Sequence, residues 1–348
     1  MNPSFYNPTN ASNWAYRPDQ RAVFLAAEEA SKARKIRPHN TDRKKVHLLL
    51  IDVQKDFCYP EGTLYVGGRS GTGAIDDSRR LAEFIYRELP NITETTVTLD
   101  THFSHQIFFP SFWVEAATGR APAPHTVITT ESVRKGQFAP HPAMAYLFEG
   151  LGGNDGWLQK QVLYYCETLE KAGKYTLYLW PEHCILGSDG HALVGIVHEA
   201  RMFHPYARNV WSNAEVKGGN PLTENYSILS PEVTTMWTGK PLAQKNAKFV
   251  KTLITADRVV IAGQAASHCV ASSADDLLSE INAQDPELAK KVYVMVDGMS
   301  AVTVPDGKGG FFLDCTPQAE AAFARWEKAG MKLVKSTTPM ADWPGMDL

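Results

Sequence analysis

Two stretches, LLLIDVQKDF (residues 48–57) and RVVIAGQAASHCV (residues 258–270), decide the fold class. Each begins as a short apolar run, typical of a strand buried on both faces, and passes directly into a loop with polar side chains. Four further runs are predicted to be strands, which gives residues 46–52, 95–100, 175–180, 258–263, 291–297 and 331–335. Longer helical stretches alternate with these strands. The alternation predicts an α/β fold: a mainly parallel sheet of about six strands, covered by helices on both faces in three layers.

The helices are predicted at residues 18–35, 74–89, 156–173, 241–256, 269–283 and 317–329. Residues 1–44 are expected to form an N-terminal extension that contains the first helix, and residues 45–348 a single domain. The segment 103–154 contains five prolines and fits the alternation badly. Because a connection of this length is either functional or a small subdomain, we interpret it as an insertion beside the site.

The composition excludes several classes of protein. The chain has 348 residues, with 35 Lys and Arg against 38 Asp and Glu, so its net charge of −3 makes it a poor candidate for binding nucleic acid. It has no apolar run of the ~18–20 residues that span a bilayer, and its N-terminus lacks the order of a signal peptide. We therefore expect a cytoplasmic protein that binds no membrane. Five widely spaced cysteines make no disulfide framework, so each thiol is considered singly.

Polar side chains follow four of the predicted strands, at the point where each strand ends. These residues are Asp52, Asp100, His183 and Cys269. Ligands of open parallel sheets bind beyond the carboxyl ends of the strands, so one site is predicted there. Cys269 is the candidate nucleophile because a small-residue loop leads to it and a helix begins near it, and a helix N-terminus lowers a thiol pKa and can hold an oxyanion. A small buried cysteine that packs helix on strand is the open alternative.

Asp100 and His102 are two residues apart at a strand end, so both side chains can leave on one face. Together with His183 they form a set of two histidines and one carboxylate, which can hold Zn²⁺, Fe²⁺ or Mn²⁺ and leave positions open. The D-x-H pair alone is a weak pattern, since a strand-end Asp is more often a cap. His105 is a possible further ligand, and a solvent-facing role for it is equally open.

Five motifs carry a resemblance to a known family. They are IDVQKDF (51–57), LDTH (99–102), WPEHC (180–184), EVKGG (215–219) with ENYS (224–227), and GQAASHCV (263–270). In this order they resemble the isochorismatase-like cysteine hydrolases, and most of all the nicotinamidase branch. The resemblance extends from Val46 to about Lys335 and leaves out the extension, the insertion and the last dozen residues.

The resemblance implies a catalytic triad of Asp52, Lys217 and Cys269. It also implies a cis peptide between Gln264 and Ala265, and an oxyanion hole made by the backbone N–H groups of Ala265 and Cys269. In such a site the lysine favours the thiolate, and the aspartate accepts the thiol proton and later returns it to the leaving amine.

The resemblance further implies a bound divalent metal ion, Zn²⁺ in the first place with Fe²⁺ or Mn²⁺ as alternatives, and no organic cofactor. It assigns the metal to the same Asp100, His102 and His183. It implies a small-molecule amide substrate and a homo-oligomer. The aromatic residues that would wall the substrate are Phe57, Trp180 and Tyr226.

The implied reaction is hydrolysis of a small carboxamide, nicotinamide to nicotinate and ammonia, through a thioester on Cys269. The sequence departs from the family pattern at residues 105–108 (HQIF) and 228–229 (IL), and its insertion is far longer than the usual connection. Hydrolysis of a ureido or carbamoyl amide therefore stays open. So does a catalytically idle member that binds a small metabolite or a partner protein, although the presence of all three triad residues weighs against it.

Overall fold

The computed structural model describes residues 3–148, 154–173 and 175–348. The strands within these residues are β1 (Val46–Ile51), β2 (Glu94–Asp100), β3 (Trp113–Glu115), β4 (Val127–Ile128), β5 (Phe138–Pro140), β6 (Leu177–Tyr178), β7 (Asn213–Lys217), β8 (Arg258–Gly263), β9 (Val292–Met295), β10 (Thr303–Pro305), β11 (Phe311–Asp314) and β12 (Lys332–Val334). The helices are α1 (Gln20–Arg34), α2 (Lys55–Cys58), α3 (Gly73–Arg87), α4 (Thr130–Arg134), α5 (Met144–Leu147), α6 (Asp155–Ala172), α7 (Gly195–Arg208), α8 (Ala247–Thr255), α9 (Cys269–Gln284) and α10 (Thr316–Lys328).

The main sheet has six strands in the order β12-β9-β8-β1-β2-β7, and all of its pairings are parallel. In the centre, Leu48 of β1 is in register with Thr95 of β2 and Val260 of β8. This arrangement confirms the predicted mainly parallel sheet of about six strands.

Helices cover the sheet on both faces, because alternate residues of its central strand enter two different cores. Leu48 and Leu50 of β1 belong to a core that includes residues of α3 and α7. Leu49 and Ile51 of the same strand belong to a second core that includes residues of α8, α9 and α10. A strand that is apolar at every position is what a sheet between two helical layers requires. The three-layer α/β/α architecture is thereby confirmed.

The prediction that residues 175–180 form a strand of the main sheet was wrong. Only β6 forms there, and it pairs antiparallel with β4 of the insertion. The sixth place in the sheet belongs to β7, an edge strand that the sequence analysis did not identify. β7 alternates half-buried and exposed positions before the buried Lys217, with Val216 62% exposed, so its sequence NAEVK lacks the continuous apolar run of the central strands.

Two helices also differ from their predictions. α7 was not predicted, because Pro205 lies inside it and the histidines around it obscure its apolar face. α8 begins at Ala247 rather than at residue 241, because the side chain of Asn246 caps it by accepting a hydrogen bond from the Phe249 N–H. The other five predicted helices form within two residues of their expected ends.

The N-terminal residues pack against the domain. α1 lies along α7, and the Tyr16 hydroxyl donates a hydrogen bond to Glu199 of that helix. The Lys55 ammonium donates to the carbonyl oxygen of Trp14 at 2.6 Å. The N-terminal segment therefore contacts the loop that follows β1.

The predicted insertion contains two small antiparallel pairs, β3 with β5 and β4 with β6, together with α4 and α5. Its residues 149–153 lie outside the described residues. In the part of the chain that the structure describes, no helix is both long and apolar enough to cross a bilayer.

Candidate active site

Four adjacent strands of the main sheet each end at one reactive side chain. Asp100 and Lys217 are the last residues of β2 and β7, Asp52 follows β1 directly, and Cys269 opens the helix after β8. Because β8, β1, β2 and β7 are neighbours and parallel, their carboxyl ends meet at one edge. The structure thus brings together the three residues of the predicted triad, together with Asp100 of the predicted metal set.

Lys217 stands at the centre of this group. Its Nζ is 2.9 Å from Asp52 Oδ2, 2.9 Å from Asp100 Oδ1 and 3.5 Å from Cys269 Sγ. All four side chains are buried. Burial and the negative charge of Asp52 both raise the pKa of the Cys269 thiol. The buried charges of Asp52 and Asp100 are tolerated because both carboxylates form an ion pair with the Lys217 ammonium group.

The two carboxylates differ in acidity although they share one cation. Burial raises the pKa of Asp52, and the nearby Asp100 charge raises it further, against the opposing effect of Lys217. Burial acts in the same direction on Asp100, but His102 and Lys217 outweigh it and hold its pKa well below the usual range. Two carboxyl groups whose pKa values are pushed apart divide the chemical roles. Asp52 is suited to exchange a proton, and Asp100 is suited to stay ionised.

Cys269 is a neutral thiol in this resting arrangement. Burial raises its pKa well above the ordinary value, and the Asp52 and Asp100 charges act in the same direction, against the opposing effect of Lys217. The helix N-terminus alone, which the sequence analysis emphasised, does not make a thiolate here. Reactivity requires that a base remove the proton, and the Asp52 carboxylate, which contacts the same Lys217 ammonium as the sulfur, is the candidate base.

Two residues that the sequence analysis did not single out hold the carboxylates in place. Thr98 Oγ1 donates to Asp52 Oδ1 and accepts a hydrogen bond from the Asp52 N–H at 3.0 Å. The Gln54 side-chain amide binds both backbone groups of Asp100, with Nε2 2.8 Å from its carbonyl oxygen and Oε1 2.7 Å from its nitrogen. The only sequence signal for either residue is proximity to the strand ends.

Asp100, His102 and His183 form a group whose ligand atoms all lie within 4.8 Å of one another. The His183 Nδ1 is 2.7 Å from the Pro181 carbonyl oxygen, and the His102 Nδ1 is 3.2 Å from the Gly218 carbonyl oxygen. A carbonyl only accepts, so each Nδ1 donates a proton to it, and Nε2 is the ring atom left to face Asp100.

Both Nε2 atoms face Asp100 Oδ2, at 2.8 Å for His102 and 3.5 Å for His183. Burial lowers the pKa of His102, which favours its neutral form. Three acceptors that converge on one point are mutually repulsive unless a proton or a metal cation lies among them. The residues present therefore fit a divalent metal ion, with carbonyl groups orienting both imidazoles.

Gly218 of the EVKGG motif makes room for this group. Its φ is +89°, and a Cβ at this position would lie 2.6 Å from Cε1 of His102. His105, the possible further ligand, lies outside the ligand group: its Nδ1 is 3.2 Å from the Ser111 carbonyl oxygen.

The loop before Cys269 has the conformation that the resemblance implied. The peptide between Gln264 and Ala265 is cis. Gly263 has a φ of +121°, and a Cβ there would lie 2.0 Å from the Ile51 carbonyl oxygen, so only glycine fits. Within the described residues, the N–H groups of Ala265 and Cys269 donate to no acceptor. Two free N–H groups beside a buried thiol are what an oxyanion hole requires.

A small cavity, the inner pocket, lies over Cys269. Phe57, Trp180 and Tyr226, which the resemblance implied as walls, all line it. His268, which the sequence analysis did not consider, lines it as well. Other lining residues are Leu64, Val66, Asp100, His183, Ala265 and Val302.

A buried carboxyl group, Glu224, supports the wall of the inner pocket. It accepts hydrogen bonds from the hydroxyls of Tyr165 at 2.8 Å, Tyr175 at 3.1 Å and Tyr226 at 2.9 Å. The Tyr226 oxygen in turn accepts from Trp180 Nε1 at 2.7 Å. Burial raises the pKa of Glu224 to about 8, and the charge of nearby Glu232 adds to the effect. Sequence reasoning treated ENYS only as a motif and missed this role.

Comparisons with known proteins bear on the resemblance. No family model matches the chain. A curated nicotinamidase of Escherichia coli (strain K12) is 24% identical over 155 residues, which are 43% of this chain and 60% of that protein. The match thus spans less than two thirds of the length of that relative.

Solved structures of nicotinamidases match over most of the chain. The yeast nicotinamidase bound to the inhibitor nicotinaldehyde matches with a TM-score of 0.50 and 18% identity, over 83% of this chain and 99% of that one. An Acinetobacter baumanii nicotinamidase/pyrazinamidase matches with a TM-score of 0.48 and 18% identity, over 85% and 99%. The chain therefore has the same α/β/α fold as the yeast nicotinamidase. The resemblance to the nicotinamidase branch, drawn from the motifs, is confirmed.

Proposed function

We propose that this protein is an amidohydrolase that cleaves a small carboxamide, with Cys269 as the nucleophile. One observation carries the proposal: a buried ammonium, Lys217, contacts Asp52, Asp100 and the Cys269 thiol together. The similarity to nicotinamidases supports nicotinamide as the substrate, with nicotinate and ammonia as products.

The reaction begins with a proton transfer that the geometry prepares. The Asp52 carboxylate accepts the thiol proton of Cys269, and the sulfur attacks the carbonyl carbon of the amide. The Lys217 charge stabilises the thiolate as it forms. The raised pKa of Asp52 suits this exchange, since a proton acceptor with an ordinary carboxyl pKa would take the thiol proton less readily.

The attack converts the carbonyl oxygen into an oxyanion, which the N–H groups of Ala265 and Cys269 hold. Removing one donor of this kind typically costs about 3 kcal/mol of transition-state stabilisation. Asp52 then returns its proton to the nitrogen, ammonia leaves, and the acyl group stays on sulfur as a thioester. A water molecule, deprotonated by Asp52, hydrolyses the thioester and restores the Cys269 thiol.

Asp100, His102 and His183 would hold a divalent metal ion, with Zn²⁺ favoured by two imidazoles and one carboxylate. Such an ion supplies Lewis-acid chemistry and can orient a ring nitrogen or a water molecule beside the inner pocket. Asp100 connects the catalytic residues to the proposed metal ligands, because one of its oxygens contacts Lys217 and the other faces both histidines.

Hydrolysis of a ureido or carbamoyl amide by the same catalytic residues is the second candidate function. The observation that favours it is the departure of residues 105–108 (HQIF) and 228–229 (IL) from the pattern of the nicotinamidases. We further propose a cytoplasmic homo-oligomer with a small-molecule substrate as its only type of partner.

Ammonia release from nicotinamide, pyrazinamide, ureidoacrylate and biuret tests the proposal. Cys269→Ala should abolish the release but keep ligand binding. Cys166→Ala, a buried cysteine of α6, is the matched control and should keep the activity. A Cys269→Ala protein that still releases ammonia at the wild-type rate refutes the mechanism.

The metal proposal has its own test, elemental analysis of protein purified without added metal. His102→Ala and His183→Ala should each lower the bound metal, whereas His39→Ala should not. Wild-type protein that contains no divalent metal and keeps full activity in a chelator contradicts this part of the proposal.

A further inference from the structure

The inner pocket has a larger neighbour. Its own volume of about 40 Å³ is close to the ~30 Å³ that one water molecule occupies in the liquid. The neighbouring cavity, which we name the outer cleft, has a volume of about 760 Å³. That volume lies within the range of roughly 300–1,000 Å³ that is typical of sites for drug-sized ligands.

The two cavities share one wall. Trp180, Tyr226 and His268 line the inner pocket and also line the outer cleft. Their rings contact one another, with centroids 5.3 Å apart for Trp180 and His268 and 5.6 Å apart for Tyr226 and His268. The three rings therefore separate the outer cleft from the inner pocket, which Cys269 also lines.

The part of the outer cleft nearest to the shared wall is apolar and aromatic. Tyr175 and Tyr178 come from the segment between α6 and Trp180, and the Tyr178 ring lies 4.6 Å from that of Trp180. Small residues also line the cleft, namely Ala271 from α9 with Ala321 and Ala322 from α10. A cavity lined by aromatic rings and alanines is suited to a flat, apolar group.

Among the described residues that line the far part of the cleft, one carboxylate has no cation as a partner. Asp275 is neutralised, because Arg325 Nη2 lies 2.6 Å from its Oδ2 and Trp326 Nε1 donates to its Oδ1 at 2.7 Å. Asp276 also lines the cleft, and within the described residues it has neither an ion pair nor a hydrogen bond. Cys269 and Asp276 are seven residues apart on α9, which is two helical turns and about 10 Å along nearly the same face.

We propose that the outer cleft binds the distal part of an elongated amide substrate, whose reactive carbonyl enters the inner pocket at Cys269. The preferred distal group is neutral or cationic and donates hydrogen bonds, because the carboxylate of Asp276 is the unpaired charge there. This inference rests on the proposed amidohydrolase function and adds a substrate class to it: aromatic carboxamides longer than nicotinamide.

The test compares carboxamides that differ only in a chain on the ring. Wild-type protein is assayed for ammonia release from the unsubstituted amide and from analogues whose chain ends in an amine, a methyl group or a carboxylate, at each ring position in turn. For at least one position, kcat/KM for the amine-ended analogue should exceed that of the unsubstituted amide at least tenfold. The carboxylate-ended analogue should be the poorest of the three.

Two variants of one helix locate the effect. Ala321→Trp fills the outer cleft, and we expect the preference for the amine-ended analogue to fall at least tenfold. Ala324→Trp is the matched control, since Ala324 is also an exposed alanine of α10 but does not line the cleft, and its preference should stay within twofold of wild type. Asp276→Asn should reduce the discrimination between amine and carboxylate ends at least fivefold.

Wild-type protein that prefers the unsubstituted amide over every analogue, or an Ala321→Trp protein with the wild-type preference, overturns the inference while the amidohydrolase proposal stands. If no amide is hydrolysed, the proposed function fails. Calorimetric measurement of binding of the amine-ended analogue then still tests whether the outer cleft is a ligand site. Binding that Ala321→Trp weakens at least tenfold supports the cleft as a ligand site, and an absence of binding refutes it. An Ala321→Trp protein that changes its oligomeric state instead identifies the cleft as a contact between copies, which also refutes the inference.

Discussion

Replacing Lys217 with Met removes the ammonium group and keeps an unbranched side chain of similar length. The change leaves the carboxylates of Asp52 and Asp100, each 2.9 Å from Lys217 Nζ in the native protein, buried without that cation. Breaking a buried ion pair by removing one partner costs about 3–5 kcal/mol. We therefore expect the free energy of unfolding of Lys217→Met to fall by about 3–5 kcal/mol in metal-free protein, where no metal ion compensates the charge of Asp100.

Urea unfolding followed by tryptophan fluorescence measures this loss. With a denaturant slope of about 3 kcal/mol per molar, the midpoint should fall by roughly 1–1.7 M. Lys248→Met, on the exposed side of α8, is the matched control and should change the free energy of unfolding by less than about 0.5 kcal/mol. Adding Asp52→Asn to Lys217→Met removes one uncompensated charge and should recover at least about 1 kcal/mol.

A loss below about 1 kcal/mol for Lys217→Met would refute this electrostatic account of the site. So would a double variant that is less stable than Lys217→Met, because the two carboxylates would then not depend on Lys217 for compensation.

Three further predictions concern residues around the site. Between pH about 4.5 and 8 the folded protein holds a proton on Glu224 that the unfolded chain has lost, so this group lowers the free energy of unfolding as pH rises, by at most about 5 kcal/mol. The melting temperature of Glu224→Gln should therefore fall less than that of wild type between pH 6 and pH 9. An equal fall would contradict the raised pKa of Glu224. Lys55→Met removes the hydrogen bond to the Trp14 carbonyl, so amide hydrogens of residues 8–16 should exchange faster, and unchanged exchange would show that this contact does not hold the segment. Gln54→Leu leaves the backbone N–H and carbonyl of Asp100 without the side-chain amide, which should cost about 2–5 kcal/mol in urea unfolding; a loss below about 1 kcal/mol would argue against its positioning role.

The sequence predicted those site residues whose position follows from the ends of buried strands. Asp52, Asp100 and Cys269 come after apolar runs, and a parallel sheet must bring such ends to one edge. Lys217 was implied only by the resemblance, because its strand, β7, is a half-exposed edge strand without an apolar run. Pattern reasoning finds strands that are buried on both faces and misses edge strands of this kind.

His183 lies beside Asp100 and His102, as predicted, but the element that positions it differs from the prediction. Residues 175–180 are not a strand of the main sheet, yet the loop that follows them forms a bridge between His102 and Ile185 beside the end of β2. The supporting contacts of Gln54, Thr98 and Glu224 were also out of reach, since hydrogen bonds between distant segments leave no periodic pattern in the sequence.

The central claim, that Cys269 carries the acyl group during amide hydrolysis, is tested most directly by mass spectrometry of the protein quenched with acid during turnover of a hydrolysed amide. The account predicts that the peptide containing Cys269 gains one acyl group in place of a hydrogen, and that Cys269→Ala protein shows no such gain and releases no ammonia. An active enzyme whose Cys269 peptide stays unmodified in the steady state, together with ammonia release by the Cys269→Ala protein, would contradict it.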